Sequence, residues 1–241
     1  MRGLLGEGGR GERGRGEAMR VVLPRLGGGR ACRLLASVSC RAGSLSVMPA
    51  SELASLPSRW VIFSDLHVRQ DSLPYCLQLL RLVAEEARSS RAGVICLGDF
   101  WHAGAVLSTR QLNAVLAEMR GWHDLRVLMI PGNHDQAMRG NPDPQMHALT
   151  PLQLAMPRSV TVFSRPTLVG DSLWIPYGID EEGVRSSCNE AAALCEEAGR
   201  GGLAAVFCHA DVVGGMMNDG VAAVRGIPPD AFPLPPVRDL L

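Results

Sequence analysis

The sequence predicts an α/β domain built on a largely parallel sheet, and two observations carry that prediction. Short apolar runs end abruptly in polar loops, and segments with helical periodicity lie between them. In addition, the loop residues Asp65, Asp99 and Asn133 follow one another at intervals of 34 positions, a spacing that suits one strand–helix–strand unit per step.

The elements can be taken in order. Trp60-Val61-Ile62-Phe63 reads as a buried strand. Residues 73–89 read as a helix, because Leu73, Cys76, Leu77, Leu80, Val83, Ala84 and Ala87 recur at spacings of three and four. Residues 94–97 form the second apolar strand. Ser108 or Thr109 can cap a helix running to about Arg120, with Leu112, Val115, Leu116 and Met119 on one face. Residues 126–130 are the third strand. Further strands are expected at 160–163, 168–169, 173–175 and 203–207, with a helix over 181–198. Short strands without helices between them predict a second, mixed sheet. From Pro228 onward, five prolines disfavour a helix or a central strand.

Composition bounds the function. All 24 basic residues are arginine, and the absence of lysine excludes a lysine-dependent mechanism, including a Walker-type phosphate loop. Residues 1–60 carry ten Arg against four acids, whereas residues 61–241 carry fourteen Arg against twenty acids. The folded part is therefore acidic, which weighs against unaided binding to a nucleic-acid backbone. Seven cysteines without a CxxC pair disfavour a disulfide scaffold or a zinc ribbon and point to an intracellular, reducing compartment.

Order is expected to begin at Trp60, with a domain over residues 59–230 and an atypical Pro-rich tail at 231–241. Residues 1–58 are expected to be disordered. Met19 to Ala50 holds five arginines and no acid, the composition of a chloroplast or mitochondrial transit peptide; a plain disordered tail and mistranslated upstream sequence are the alternatives. No apolar run reaches the ~18 residues of a membrane span.

Each of four strands leads into metal-ligand residue types: Ser64-Asp65-Leu66-His67, Gly98-Asp99-Phe100-Trp101-His102, Gly132-Asn133-His134-Asp135 and Cys208-His209-Ala210-Asp211. Loops at the carboxyl ends of strands are where an open α/β sheet places its site. A single D-x-H is weak, because such a histidine is usually an ordinary hydrogen-bonded one. Four motifs, each after a strand, are a strong signal.

In this order the motifs resemble the ligand series of the calcineurin-like metallophosphoesterases: D-x-H, G-D, G-N-H-D and a later His, across residues 60–230. The resemblance implies a four-layer α-β-β-α sandwich of two mixed sheets flanked by helices. It also implies two divalent metal ions, manganese first, with iron or zinc as alternatives. Asp65 and His67 would hold one ion, Asp99 would bridge both, and Asn133 and His209 would hold the other. By the same resemblance His134 is no ligand but faces the phosphate, stabilising charge and protonating the leaving oxygen. Asp135 would orient His134 or serve only as a turn residue. The run Gly98-Asp99-Phe100-Trp101-His102 is similar to that of SbcD-like nucleases, in which the histidine helps grip the phosphate; otherwise His102 is an ordinary loop histidine.

The expected activity is hydrolysis of a phosphate ester, preferentially a diester such as a nucleotide or nucleic acid, by a metal-activated water. One departure from the family pattern stands beside it. No closing G-H-x-H follows His209, so the second sheet is expected to be incomplete, through truncation or through descent from a branch without the motif. A weak or inactive phosphoesterase-like binding protein is the alternative function.

Overall fold

The computed structural model describes residues 45–138, 146–216 and 220–232. Its elements are β1 (Ser46–Val47), α1 (Ala50–Leu53), β2 (Trp60–Phe63), α2 (Leu73–Ser89), β3 (Gly93–Cys96), α3 (Thr109–Met119), β4 (Val127–Met129), α4 (Thr150–Ala155), β5 (Val160–Val162), β6 (Thr167–Val169), β7 (Ser172–Ile175), α5 (Glu181–Glu197) and β8 (Ala205–Cys208). One sheet has the order β2-β3-β4-β5 and is parallel throughout. The other has the order β1-β6-β7-β8 and is mixed, with β6 and β7 antiparallel.

Strand alternation builds the layers. Val94 and Cys96 of β3 pack with Leu80, Val83, Val115 and Met119 of α2 and α3. Ile95, between them in sequence, points the other way and joins Leu128, Trp174 and Phe207 between the sheets. On β7, Leu173 and Ile175 meet Val184, Cys188 and Ala191 of α5, whereas Trp174 faces inward. Helices therefore cover the outer face of each sheet, in the expected order α-β-β-α. Local chemistry agrees with the element boundaries: Ser108 and Gln111 form a capping box on α3, and Asp180 caps α5 by accepting from Gly183 N at 2.9 Å.

Two expectations are corrected. Order begins before Trp60: β1 pairs with β6, Leu45 and Met48 are buried, and α1 follows. A two-residue strand shows no alternation to read, and its stability comes from the sheet edge it covers. Second, β5 does not belong with the second-sheet strands but extends the first sheet beside β4. The helix α4, too short for its periodicity to be legible, supplies the crossover that a parallel pair requires. The arginine-rich segment through residue 44 and the tail from 233 lie outside the described residues. Among those described, no helix is long and apolar enough to cross a membrane.

Candidate metal centre

The loops after β2, β3 and β4 are joined by backbone bonds. Asp65 N donates to Gly98 O at 3.1 Å, His67 N to Asp99 O at 2.9 Å and Val68 N to Phe100 O at 2.9 Å, which prolongs the parallel ladder past the strand ends. His134 N donates to Asp99 Oδ1 at 2.9 Å and Gly104 N to His134 O at 2.7 Å, which ties in the third loop. His209, at the end of β8, reaches across from the second sheet.

The backbone is strained where these side chains converge. Among the described residues, four non-glycine residues have positive φ: Asp65 (56°), His67 (46°), Asp99 (54°) and Arg91 (54°). Such conformations cost on the order of 1–3 kcal/mol each and persist where the surroundings enforce them. Glycine is required at two adjoining positions. A Cβ on Gly98 (φ 97°) would lie 2.5 Å from His209 Nδ1, and one on Gly132 would lie 2.2 Å from Asp99 Oδ1.

Asp99 lies between two groups of ligand atoms and is 4% exposed. Its Oδ2 is 3.6 Å from His67 Nε2, which is itself 3.7 Å from Asp65 Oδ1. Its Oδ1 is 3.5 Å from His209 Nε2, which is 3.0 Å from Asn133 Oδ1. Asp65, His67, Asp99, Asn133 and His209 are thus brought together, although the first and last are 144 positions apart in sequence. Burial, as the largest influence, lowers the pKa of His67, with Asp99 opposing it, so the neutral ligating form is favoured.

The protons on His209 can be assigned. Its Nδ1 lies 2.8 Å from the Leu97 carbonyl, which only accepts, so Nδ1 carries hydrogen and Nε2 of the neutral ring carries a lone pair. That lone pair meets the Asn133 oxygen, and the same amide position is 3.3 Å from both Asp99 oxygens. Acceptors converge there without a donor unless the amide turns its NH2 inward. A divalent cation satisfies them with the oxygen inward, and mixed carboxylate, amide and imidazole ligands suit a first-row metal. The residues present therefore fit the group.

His134 and His102 lie beside this set. His134 Nδ1 donates to the His102 carbonyl at 2.8 Å, which leaves Nε2 for other partners. The rings of His102 and His134 stack at 5.4 Å, and His67 meets His134 edge-on at 4.7 Å. Asp135 departs from the expected role of orienting His134. It is fully buried, and its carboxylate accepts from Trp101 N at 2.8 Å, Gly132 N at 2.9 Å and Phe100 N at 3.3 Å. It bolts the second loop to the third. Tyr177, with its ring 6.2 Å from that of His209, and the carbonyls of Leu97 and His102 escaped the sequence reading; a main-chain acceptor has no sequence signal.

The model of the calcineurin-like phosphoesterase family matches residues 58–193, more than half of the chain, and spans the first three loops. The chain belongs to the calcineurin-like phosphoesterase family. Membership makes this a hydrolase family fold that implies divalent metal ions, and His209 lies beyond the matched segment. Among solved structures, this family member is similar to the nuclease MPE of Pseudomonas putida, at 19% identity and a TM-score of 0.35, over 48% of this chain and 52% of that one. The chain spans about half the length of that nuclease. No curated protein matches it.

Proposed function

We propose that this phosphoesterase hydrolyses phosphodiesters at a dinuclear centre. Asp65, His67 and Asp99 would hold one ion, and Asp99, Asn133 and His209 the other. The observation that supports this is the placement of Asp99, whose two oxygens face different ligand groups at 3.6 and 3.5 Å. Manganese is the first choice, with iron or zinc as alternatives. When bound, such ions act as a Lewis acid on the phosphoryl oxygens and lower the pKa of the attacking water.

The chain's own residues handle the leaving group. His134 is oriented by the His102 carbonyl and presents Nε2–H when protonated. As the bond from phosphorus to the ester oxygen breaks, Nε2 gives its proton to that oxygen and the ring becomes neutral. His102, stacked on His134, contributes to binding the phosphate. The acidic domain favours a nucleotide or a short strand over an extended duplex.

The test is turnover of bis(nitrophenyl) phosphate and nitrophenyl phosphate by the chelated chain resupplied with manganese, iron or zinc. Metal-dependent turnover with the diester preferred is expected. Equal turnover with chelator present would rule out the metal mechanism, and preference for the monoester would rule out the diester assignment. His134→Ala should lower kcat by about 10²-fold or more on a poor leaving group, with unchanged metal content and a smaller loss on nitrophenol esters. An equal loss on both would assign His134 to phosphate binding alone.

A further inference from the structure

Three of the four left-handed non-glycine residues lie in the metal centre. The fourth, Arg91, lies at the other end of the parallel sheet, just past the C-terminus of α2. Helices commonly end on a residue in this conformation, and glycine usually fills the position. Arg91 sits there despite the strain. Its guanidinium is exposed and has no hydrogen bond or ion pair among the described residues.

Arg91 lines a cavity of about 530 Å3 that also includes Ser55, Pro57, Arg88, Asp124 and Arg126. That volume lies within the range of small-molecule sites. Arg88 is neutralised: its Nε and Nη2 pair with the two Asp124 oxygens, each at 2.8 Å. Arg126 is not fully satisfied. Its Nη2 meets the half-exposed Glu52 at only 3.4 Å and its Nη1 meets Arg158 O at 3.3 Å, while its Nε–H is buried without an acceptor. The wall formed by Ser55 and Pro57 comes from the segment that follows α1.

Three arginines in the lining stand against Asp124 and the Glu52 paired with Arg126, which leaves an excess of one positive charge, centred on Arg91, for an anion. The unpaired guanidinium of Arg91 and the long, weak bonds of the Arg126 Nη1 and Nη2 groups leave donors of two arginines in one cavity short of good acceptors. A phosphate offers three terminal oxygens, enough to take bonds from both side chains, and guanidinium geometry matches it. The cavity is larger than a phosphate alone needs, and the Pro57 ring offers an apolar contact.

We propose that this cavity is an anion site, separate from the metal centre, for the phosphate group of a small phosphorylated molecule. Phosphate chemistry at this site could come from free phosphate or from a mononucleotide. Amide signals of the full chain, supplied with zinc to avoid paramagnetic broadening, should be followed by NMR during titration with inorganic phosphate and, separately, adenosine monophosphate. Shifts are expected at Ser55, Arg91, Ala92 and Arg126, apart from any at the Asp99 loop. Tighter binding of the nucleotide identifies an organic ligand, and equal binding identifies free phosphate. Arg91→Gly should weaken both by about tenfold or more, since one charge-assisted bond is lost. The same variant should melt about 1–3 °C higher, because glycine relieves the left-handed strain, and should hydrolyse phosphodiesters at the unchanged rate. A folding defect alone cannot produce weaker binding with a higher melting temperature. Shifts confined to the Asp99 loop, or unchanged affinity in Arg91→Gly, would overturn the proposal, and so would an acidic peptide binding this surface while neither phosphate ligand does.

Discussion

Asp99→Asn is expected to lower phosphodiester turnover by a factor on the order of 10³ or more and to leave the metal-free fold intact. Removal of a single fixed electrostatic group from a catalytic site already costs about 10²–10³-fold, and Asp99 faces both proposed ligand groups at once. Asparagine keeps an oxygen to accept from His134 N, the one hydrogen bond that the carboxylate makes within 3 Å. It removes a negative charge that is 4% exposed and costly to bury without a cation. The chelated variant should therefore melt at or above the chelated wild type. Added manganese should stabilise the wild type through binding linkage and stabilise the variant little. Manganese stabilisation of the variant equal to that of the wild type would show that Asp99 bridges nothing.

The second large effect is on stability. Asp135→Ala is expected to cost about 3–5 kcal/mol, because three backbone N–H groups at Gly132, Phe100 and Trp101 lose their only acceptor inside the protein. For a domain of this size that is a fall of about 6–20 °C in Tm. Activity should fall with it, since the same bonds hold the Asp99 loop against the Asn133 loop. Asp135→Asn retains one acceptor oxygen but turns an NH2 toward a donor, so its loss should be intermediate. Unchanged melting of Asp135→Ala would mean that the three amides find other partners.

Asp135 also carries a pH dependence. Burial pushes its pKa up to about 6, against the three N–H bonds, which favour the carboxylate. A raised folded pKa means that the folded chain still holds a proton that the unfolded chain has lost. The metal-free wild type should therefore lose stability relative to Asp135→Asn as pH rises from about 4 to about 6, and hold level above that. A difference that widens in the wild type's favour over this window would reverse the assignment.

Much of the fold could be read in advance. The helix at Leu73–Ser89 and the strands around Ile62, Ile95 and Leu128 follow from period and length, because both faces of a parallel sheet must be apolar. The ligand types were legible for a related reason, since polar loops after buried strands are where a site can form. Less visible were β1 and α4, two and six residues long, which carry too few positions for a pattern and are held by their neighbours. The sheet to which β5 belongs depended on α4 and was misread with it.

The sequence by itself determined which side chains stand at the strand ends and in what order. Only the tertiary structure decided which atoms meet. The His209 tautomer depends on the Leu97 carbonyl, 112 positions away. The Asp135 carboxylate could have turned to His134 and instead turned to three main-chain amides. Arg91, Arg126 and Ser55 share a cavity that no spacing announces. The physical reason is common to all three. Side-chain periodicity reports burial along one element, whereas main-chain donors and acceptors are identical at almost every residue and acquire partners only when separate elements pack.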